Sequence, residues 1–391
     1  MKICDVTQFF SPLGGGVRRY ITEKRRYVQQ YTQDEHILLI PASDTEVIRE
    51  GRLTLCMVAS PRVSNKTKYR MLFDLRQAAE FIREEKPDLI ECSDPYHLAW
   101  KTLQMGRELN IPVLGFYHSH FPEAYLRTAM KFGGVWLRNK MMSLARKYVV
   151  NLYNRFDFTL VPSPSLAELL EGWGLENTMP VKLGIDTEIF FPGKPATLSR
   201  EKLNIPPDAF LLLYIGRLAG EKNTRLLIDT FRLLEEEAPG KFAFLVIGDG
   251  QLRNLVIKSR RKLPLLRWVP YCRESKDLAD YYRLADLFIH PGVHETFGLV
   301  SLESQACGCP VVGISGSYMD AHIYAGHSLW AKANTAQALC NAVLRYTKED
   351  VRALGLQAAE VVRKEYAWKI VFEQIWGAYQ RALDFHPKKS L

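Results

Sequence analysis

Short apolar runs recur along the chain at 2–5, 36–40, 89–92, 113–117 and 159–162, and again at 211–215, 242–247, 267–269, 287–290 and 311–313. A longer mixture of polar and apolar positions, or a loop, follows each of them. Continuous rather than alternating apolar runs suit strands covered on both faces, and the mixed stretches suit the helices that cover them. This alternation predicts an α/β chain with a parallel sheet and flanking helices in each half. Residues 184–195, Gly-Ile-Asp-Thr-Glu-Ile-Phe-Phe-Pro-Gly-Lys-Pro, carry neither period and are punctuated by Pro and Gly. The domain junction is therefore placed there, giving an N-terminal domain 1–188 and a C-terminal domain 189–368 with a ligand cleft between them.

Length and composition agree with two domains, since 391 residues with 47% hydrophobic content suffice for two cores. The longest apolar runs, such as 210–215, fall far short of the roughly 18 residues that a spanning helix needs. Seven cysteines without a Cys-x-x-Cys pair, and a start lacking a long apolar region, predict a cytoplasmic protein without disulfides. The net charge of +9 is unevenly placed: residues 124–156 hold seven Lys or Arg and no acid. Leu137, Met141, Leu144, Ala145, Tyr148 and Leu152 recur there at helical spacing, which predicts a basic amphipathic helix around 134–155. Such a helix suits an anionic membrane surface, and the same stripe suits packing on a domain core. No nucleic-acid-binding motif accompanies the charge, so nucleic acid is not an expected partner.

The segment His294-Glu295-Thr296-Phe297-Gly298-Leu299-Val300-Ser301-Leu302-Glu303 follows an apolar strand and Pro291, and so reads as a loop entering a helix near Phe297. Unpaired amides from Phe297 to Val300 and the positive end of the helix dipole form a seat for phosphate. Glu295 and Glu303 would stand about 10 Å apart at the helical rise, too far to share a proton and suited to gripping opposite ends of an elongated ligand. After Glu303, Gly308 closes the helix and Pro310 opens the next strand, so the acids lie where open α/β sheets bind ligands, outside strand carboxyl ends.

Two further segments fit a diphosphate. Gly216-Arg217-Leu218-Ala219-Gly220-Glu221-Lys222-Asn223 follows a strand; its Arg offers a fork and its Lys a point charge to stabilise a leaving diphosphate. Gly14-Gly15-Gly16 follows the first strand and lets backbone approach a ligand closely. It does not make a dinucleotide fingerprint, because the third glycine position is Arg19 and no acid ends a strand some twenty residues on. No Asp-x-Asp occurs and the histidines show no paired ligand spacing, so neither a metal nor another cofactor is expected.

With these motifs the chain resembles the retaining glycosyltransferases of family 4, of GT-B architecture: two Rossmann-like, doubly wound parallel-sheet domains. The likeness spans nearly the whole chain and rests on Glu295 with Glu303, the run from Gly216 to Asn223, the glycine loop, and Gly184-Ile185-Asp186. It implies a UDP- or GDP-sugar donor, with Glu303 on the ribose, Arg217 and Lys222 on the diphosphate beside Gly15, Gly16 and Gly216, and the base near Val269 and Pro270. Glu295, Thr296 and the amides of Phe297, Gly298, Leu299 and Val300 would hold the sugar. His118 matches the family's histidine and would sit by the reacting sugar; Asp94, His118 and His120 are acceptor-side candidates, Asp94 having an equal explanation as a turn residue. The resemblance further implies front-face displacement without a dedicated base, and a last helix at about 369–384 that returns to the first domain.

The chain departs from the pattern at Leu183, where an Asn is usual before Gly-Ile-Asp. The His-Ser-His-Phe-Pro segment at 118–122 resembles the branch that makes membrane glycolipids, which with the basic helix favours a lipid acceptor and a peripheral place on the inner membrane face. Soluble sugars, polysaccharide intermediates and small metabolites are the alternative acceptors, and a non-catalytic nucleotide-binding scaffold is the alternative class. A phosphorylase-like enzyme would need a longer chain and a cofactor pocket.

Overall fold

A computed structural model describes residues 1–10, 16–62, 70–118, 135–272, 274–293, 297–317 and 322–386. The chain divides into two compact units, 1–183 with 368–391, and 184–367. The first division falls at Leu183/Gly184, at the start of the Pro/Gly-punctuated stretch rather than after residue 188, and the final helix belongs to the first unit.

The first unit is an eight-stranded sheet in the order β3-β4-β2-β1-β5-β6-β7-β8. Its strands are β1 (Lys2–Val6), β2 (Glu35–Ala42), β3 (Glu46–Glu50), β4 (Leu53–Ala59), β5 (Leu89–Cys92), β6 (Val113–Phe116), β7 (Phe158–Val161) and β8 (Thr178–Pro180). All pair in parallel except β3, which turns back on β4 through Gly51 at φ +59°. Strands β3, β4 and β8 extend the sheet beyond the five runs that the apolar pattern marked. At the two edges β3 is largely charged and β8 is three residues long, so neither carries the continuous apolar signal of a central strand.

Helices α1 (Gly16–Tyr31), α2 (Leu75–Glu85), α3 (His97–Leu109), α4 (Val135–Tyr153) and α5 (Pro164–Glu171) accompany this sheet. Asp74 caps α2 by accepting from the amides of Arg76 and Gln77, and Ser163 caps α5 ahead of Pro164. In α4, Val149, Leu152 and Tyr153 are buried, whereas Trp136, Leu137 and Leu144 remain 73%, 38% and 58% exposed. The expected stripe thus packs only at its C-terminal end.

The second unit is a five-stranded, wholly parallel sheet in the order β11-β10-β9-β12-β13. It comprises β9 (Phe210–Ile215), β10 (Phe242–Ile247), β11 (Leu266–Val269), β12 (Leu287–Ile289) and β13 (Val311–Val312), with α6 (Thr224–Glu237), α7 (Arg253–Ser259), α8 (Ser275–Leu284), α9 (Leu299–Ala306), α10 (Ala336–Tyr346) and α11 (Val351–Glu365). The chain then re-enters the first unit as α12 (Trp368–Phe385), whose buried Trp368, Val371, Phe372, Ile375, Ala378, Tyr379 and Ala382 keep helical spacing. Phe372 and Trp376 lie 5.2 and 5.0 Å from the Tyr27 ring of α1, and Trp376 Nε1 donates to Asp34 Oδ2 at 2.6 Å. All seven cysteines are free thiols.

Candidate active site

The order of the parallel strands reverses at β1/β5 in the first unit and at β9/β12 in the second. At such a point the loops leave in opposite directions and open a crevice at the strand carboxyl ends. The described candidates other than Val269 and Pro270, which lie at the edge strand β11, follow strands at or next to these two places, and each is described within its own unit.

In the first unit the loops after β1, β5 and β6 bring together Gln8, Ser93, Asp94 and His118. Gln8 Nε2 donates to Asp94 Oδ2 at 2.7 Å, and Gln8 Oε1 accepts from the Leu72 amide at 2.9 Å. Asp94 Oδ1 accepts from the Tyr96 amide at 2.7 Å, and the residue is 1% exposed. Each of its oxygens accepts one bond inside the protein, the bond from the Tyr96 amide being that of a turn residue. Burial raises its pKa above the ordinary carboxylate value.

His118 is half-buried just past β6, its Nε2 within 2.9 Å of Ser93 Oγ. Its ring stacks on Phe116 at 3.8 Å with a 5° interplanar angle and meets the Tyr20 ring edge-on at 5.2 Å. Burial first, and then the Lys24 ammonium, depress its pKa from 6.5 to about 3. The imidazole is therefore neutral near pH 7, with both a donor and an acceptor nitrogen. Gly16 is the exposed first residue of α1, while Gly15 and His120 lie outside the described residues.

In the second unit the loop after β9 is fitted against the loop after β10. Leu218 donates its amide to Asp249 O at 3.0 Å, and its carbonyl accepts from Leu252 at 2.8 Å. Gly248 takes φ +141° and Gly250 φ +157°; added Cβ atoms would stand 2.0 Å from Gly216 O and 2.4 Å from Leu218 O. Only glycine permits this approach. These two glycines were not singled out from the sequence, although Gly-Asp-Gly directly after an apolar strand was a usable signal. Gly216 is in turn crowded by Tyr214, whose hydroxyl donates to Arg217 O at 3.1 Å.

Arg217 is exposed and Lys222 half-buried in a single 3-10 turn. Asn223, in the left-handed region at φ 51°, donates from Nδ2 to Pro291 O at 2.7 Å and so ties the loop after β9 to the loop after β12. Val269 ends the edge strand β11, and exposed Pro270 follows it on the same side of the sheet.

The loop after β12 re-enters the described chain at Phe297, which is buried with its ring 4.5 Å from that of His322; Glu295 and Thr296 lie outside the described residues. Gly298 is left-handed at φ 71°, so the helix begins at Leu299 and not near Phe297. Of the expected row of amides, Leu299 and Val300 thus stand in the first turn and Phe297 and Gly298 just before it, while the Ser301 amide donates to Gly298 O at 2.8 Å. Glu303 lies one turn inside α9, is 1% exposed, and accepts at Oε2 from Tyr282 OH at 3.1 Å. Its carboxylate is thus fixed from within the unit, a partner that the sequence did not show.

Two doubly wound α/β units, the second with two loop cations and fitted glycine loops at its reversal point, are the arrangement expected of a transferase that takes its sugar from a nucleotide. Residues 14–189 match the sequence model of Glycosyltransferase Family 4, and residues 196–361 match that of Glycosyl transferases group 1. The chain belongs to the family 4 glycosyltransferases. It is 28% identical over 352 residues to the GDP-mannose-dependent alpha-(1-6)-phosphatidylinositol dimannoside mannosyltransferase of Mycobacterium tuberculosis, covering 88% of this chain and 87% of that one. It is 26% identical over 330 residues to the alpha-monoglucosyldiacylglycerol synthase of Streptococcus pneumoniae, covering 82% and 72%. The sucrose-phosphate synthase structure from Thermosynechococcus elongatus superposes with a TM-score of 0.76 at 20% identity, over 98% of this chain and 99% of that one.

Proposed function

We propose that this glycosyltransferase moves a hexosyl group from a UDP- or GDP-sugar to a hydroxyl of a membrane lipid, with retention of configuration and without a metal ion. The observation that carries the donor side is the pair of loops after β9 and β12, tied by the Asn223–Pro291 bond, with Arg217 and Lys222 on the first. In this reading the two cations take up the charge that grows on the diphosphate as the bond to the anomeric carbon breaks. The acceptor oxygen forms its bond on the same face, and its proton passes to the departing phosphate oxygen. Neutral His118 donates to the sugar, Glu303 meets the ribose with its carboxylate oriented by Tyr282, and Glu295 serves the sugar.

Two observations support a lipid acceptor. Both curated relatives carry a lipid in their names. The N-terminal part of α4 exposes Trp136, Leu137 and Leu144 beside Lys140, Arg146 and Lys147, which suits peripheral attachment to the cytoplasmic face of an anionic membrane. Among the described residues no helix is long and apolar enough to cross a membrane.

Thermal shift against UDP-, GDP- and ADP-sugars in EDTA tests the donor side. A ligand at a hundred times its Kd stabilises the folded state by about 2.7 kcal/mol. A selective shift supports the reading, and no shift from any of them favours the scaffold alternative. Release of nucleoside diphosphate with lipid vesicles, set against soluble sugars, then separates the two acceptor classes.

A further inference from the structure

The first unit buries a charged cluster for which the donor chemistry has no use. Asp5 of β1 and Glu91 of β5 are register partners on neighbouring strands, so two carboxylates stand side by side. Lys24 of α1 bridges them, its Nζ 2.8 Å from Asp5 Oδ1 and 3.0 Å from Glu91 Oε1. The same ammonium donates to the Tyr379 hydroxyl of α12 at 2.8 Å. Tyr20 OH donates to Glu91 Oε2 at 3.1 Å, Tyr379 OH donates to the same oxygen, and His36 Nε2 lies 2.9 Å from Asp5 Oδ2. Asp5, Tyr20, Lys24, His36, Glu91 and Tyr379 are each no more than 1% exposed.

Burying an ion costs several kcal/mol, and well-packed apolar residues in place of a buried pair are often neutral or stabilising. Stability alone is therefore a poor account of this cluster, and its placement offers a better one. Asp5 and Glu91 each stand three residues before a member of the acceptor-side group, Gln8 and Asp94, which are bonded to each other. Tyr20, clamped through its hydroxyl, puts its ring edge against His118. On the other side, Trp368 and Phe372 of α12 pack on Tyr20 at 6.3 and 5.8 Å.

We propose that Tyr20, Lys24 and Tyr379 are positioning residues: by locking β1 to β5 and Tyr20 to His118, they set the acceptor-side geometry and make sugar transfer depend on seating of the last helix. The inference rests on the reading of His118 as the residue beside the reacting sugar. The seam between α1 and α12 also holds Tyr27, which packs on Phe372 and Trp376 without joining the cluster. Its hydroxyl therefore provides the control for loss of a tyrosine hydroxyl at the same seam but outside the cluster.

The test compares Tyr379→Phe, Tyr20→Phe and Tyr27→Phe with the native full chain, reading nucleoside diphosphate released from GDP-mannose or UDP-glucose, whichever the thermal-shift panel selects. Both cluster variants keep their rings: Tyr20→Phe loses the bond to Glu91, and Tyr379→Phe loses the bond to Glu91 and the one its hydroxyl accepts from Lys24. Each is expected to lower kcat about ten- to a hundredfold, the range set by misplacement of reacting groups by an ångström or less. The donor KM and the nucleotide-induced shift in Tm stay at native values, since Arg217, Lys222 and Glu303 belong to the other unit and the cluster variants leave the glycine loop unchanged, and Tyr27→Phe keeps both constants. Equal deterioration of kcat and donor KM would mean general loosening and would overturn the inference. Native kcat in both cluster variants, with loss in His118→Ala, overturns it while leaving the reading of His118 intact; native kcat in His118→Ala overturns both.

Discussion

Replacing Gly248 by Ala should damage the donor site through backbone geometry alone. At φ +141° an L-residue occupies a region that is essentially glycine's, which costs about 1–3 kcal/mol. The added methyl would also stand 2.0 Å from Gly216 O, and relieving that overlap costs a further ~1–3 kcal/mol by the measure of overpacked cores. The sum, about 2–6 kcal/mol, corresponds to a fall of roughly 4–24 °C at about 2–4 °C per kcal/mol for a domain of this size. The methyl must push the loop carrying Gly248 and the loop carrying Gly216 and Arg217 apart, so nucleotide affinity should fall with stability. Gly240→Ala is the matched control: its φ is +74°, yet nothing lies within 4 Å of the added Cβ, so only a conformational cost of about 1–2 kcal/mol applies. Calorimetric unfolding with and without the preferred nucleoside diphosphate reads both effects. If Gly248→Ala melts with Gly240→Ala and binds nucleotide normally, the fitted-loop argument fails.

Asn223→Ala removes the bond to Pro291 and leaves Ala at a left-handed φ of 51°, so it should raise donor KM several-fold and lower Tm by several degrees, since a typical hydrogen bond contributes about 1 kcal/mol and Ala is disfavoured in that region; steady-state kinetics and calorimetry check it. Phe372→Ala opens a cavity between α1 and α12 and should destabilise by about 3–5 kcal/mol, read from urea midpoints. Acid should destabilise the protein through His118: its folded pKa of about 3 lies below an unfolded value of about 6.5, so between these values the unfolded chain binds a proton that the native state refuses. The urea midpoint should fall as pH drops from 6.5, and His118→Gln should flatten that slope. Asp5 acts in a lower window: burial opposes its charge, but Lys24 and His36 outweigh burial and hold it at about 2, so its contribution is lost as pH falls from about 4 to about 2. Sedimentation with anionic vesicles over a salt series should show binding that weakens with salt and in Lys140→Ala/Lys147→Ala.

The sequence by itself determined the central strands and their parallel winding, because β1, β5, β6, β9, β10 and β12 are covered on both faces and that burial is written as continuous apolar runs. It also located the loop cations, since Arg217 and Lys222 follow a strand end directly. The edge strands β3 and β8 of the first sheet left little trace, because β3 is largely charged, as an edge tolerates, and β8 is only three residues long. The start of α9 was misplaced by two residues because Gly298 reads equally as loop or cap until its φ is known. What only tertiary structure decided is the pairing of distant polar groups. Lys24 and Tyr379 are 355 positions apart, Gln8 and Asp94 are 86 apart, and Asn223 and Pro291 are 68 apart. Periodicity reports which side of an element is buried; it carries no record of which buried donor meets which acceptor, and that is fixed when parallel strands bring their register partners together.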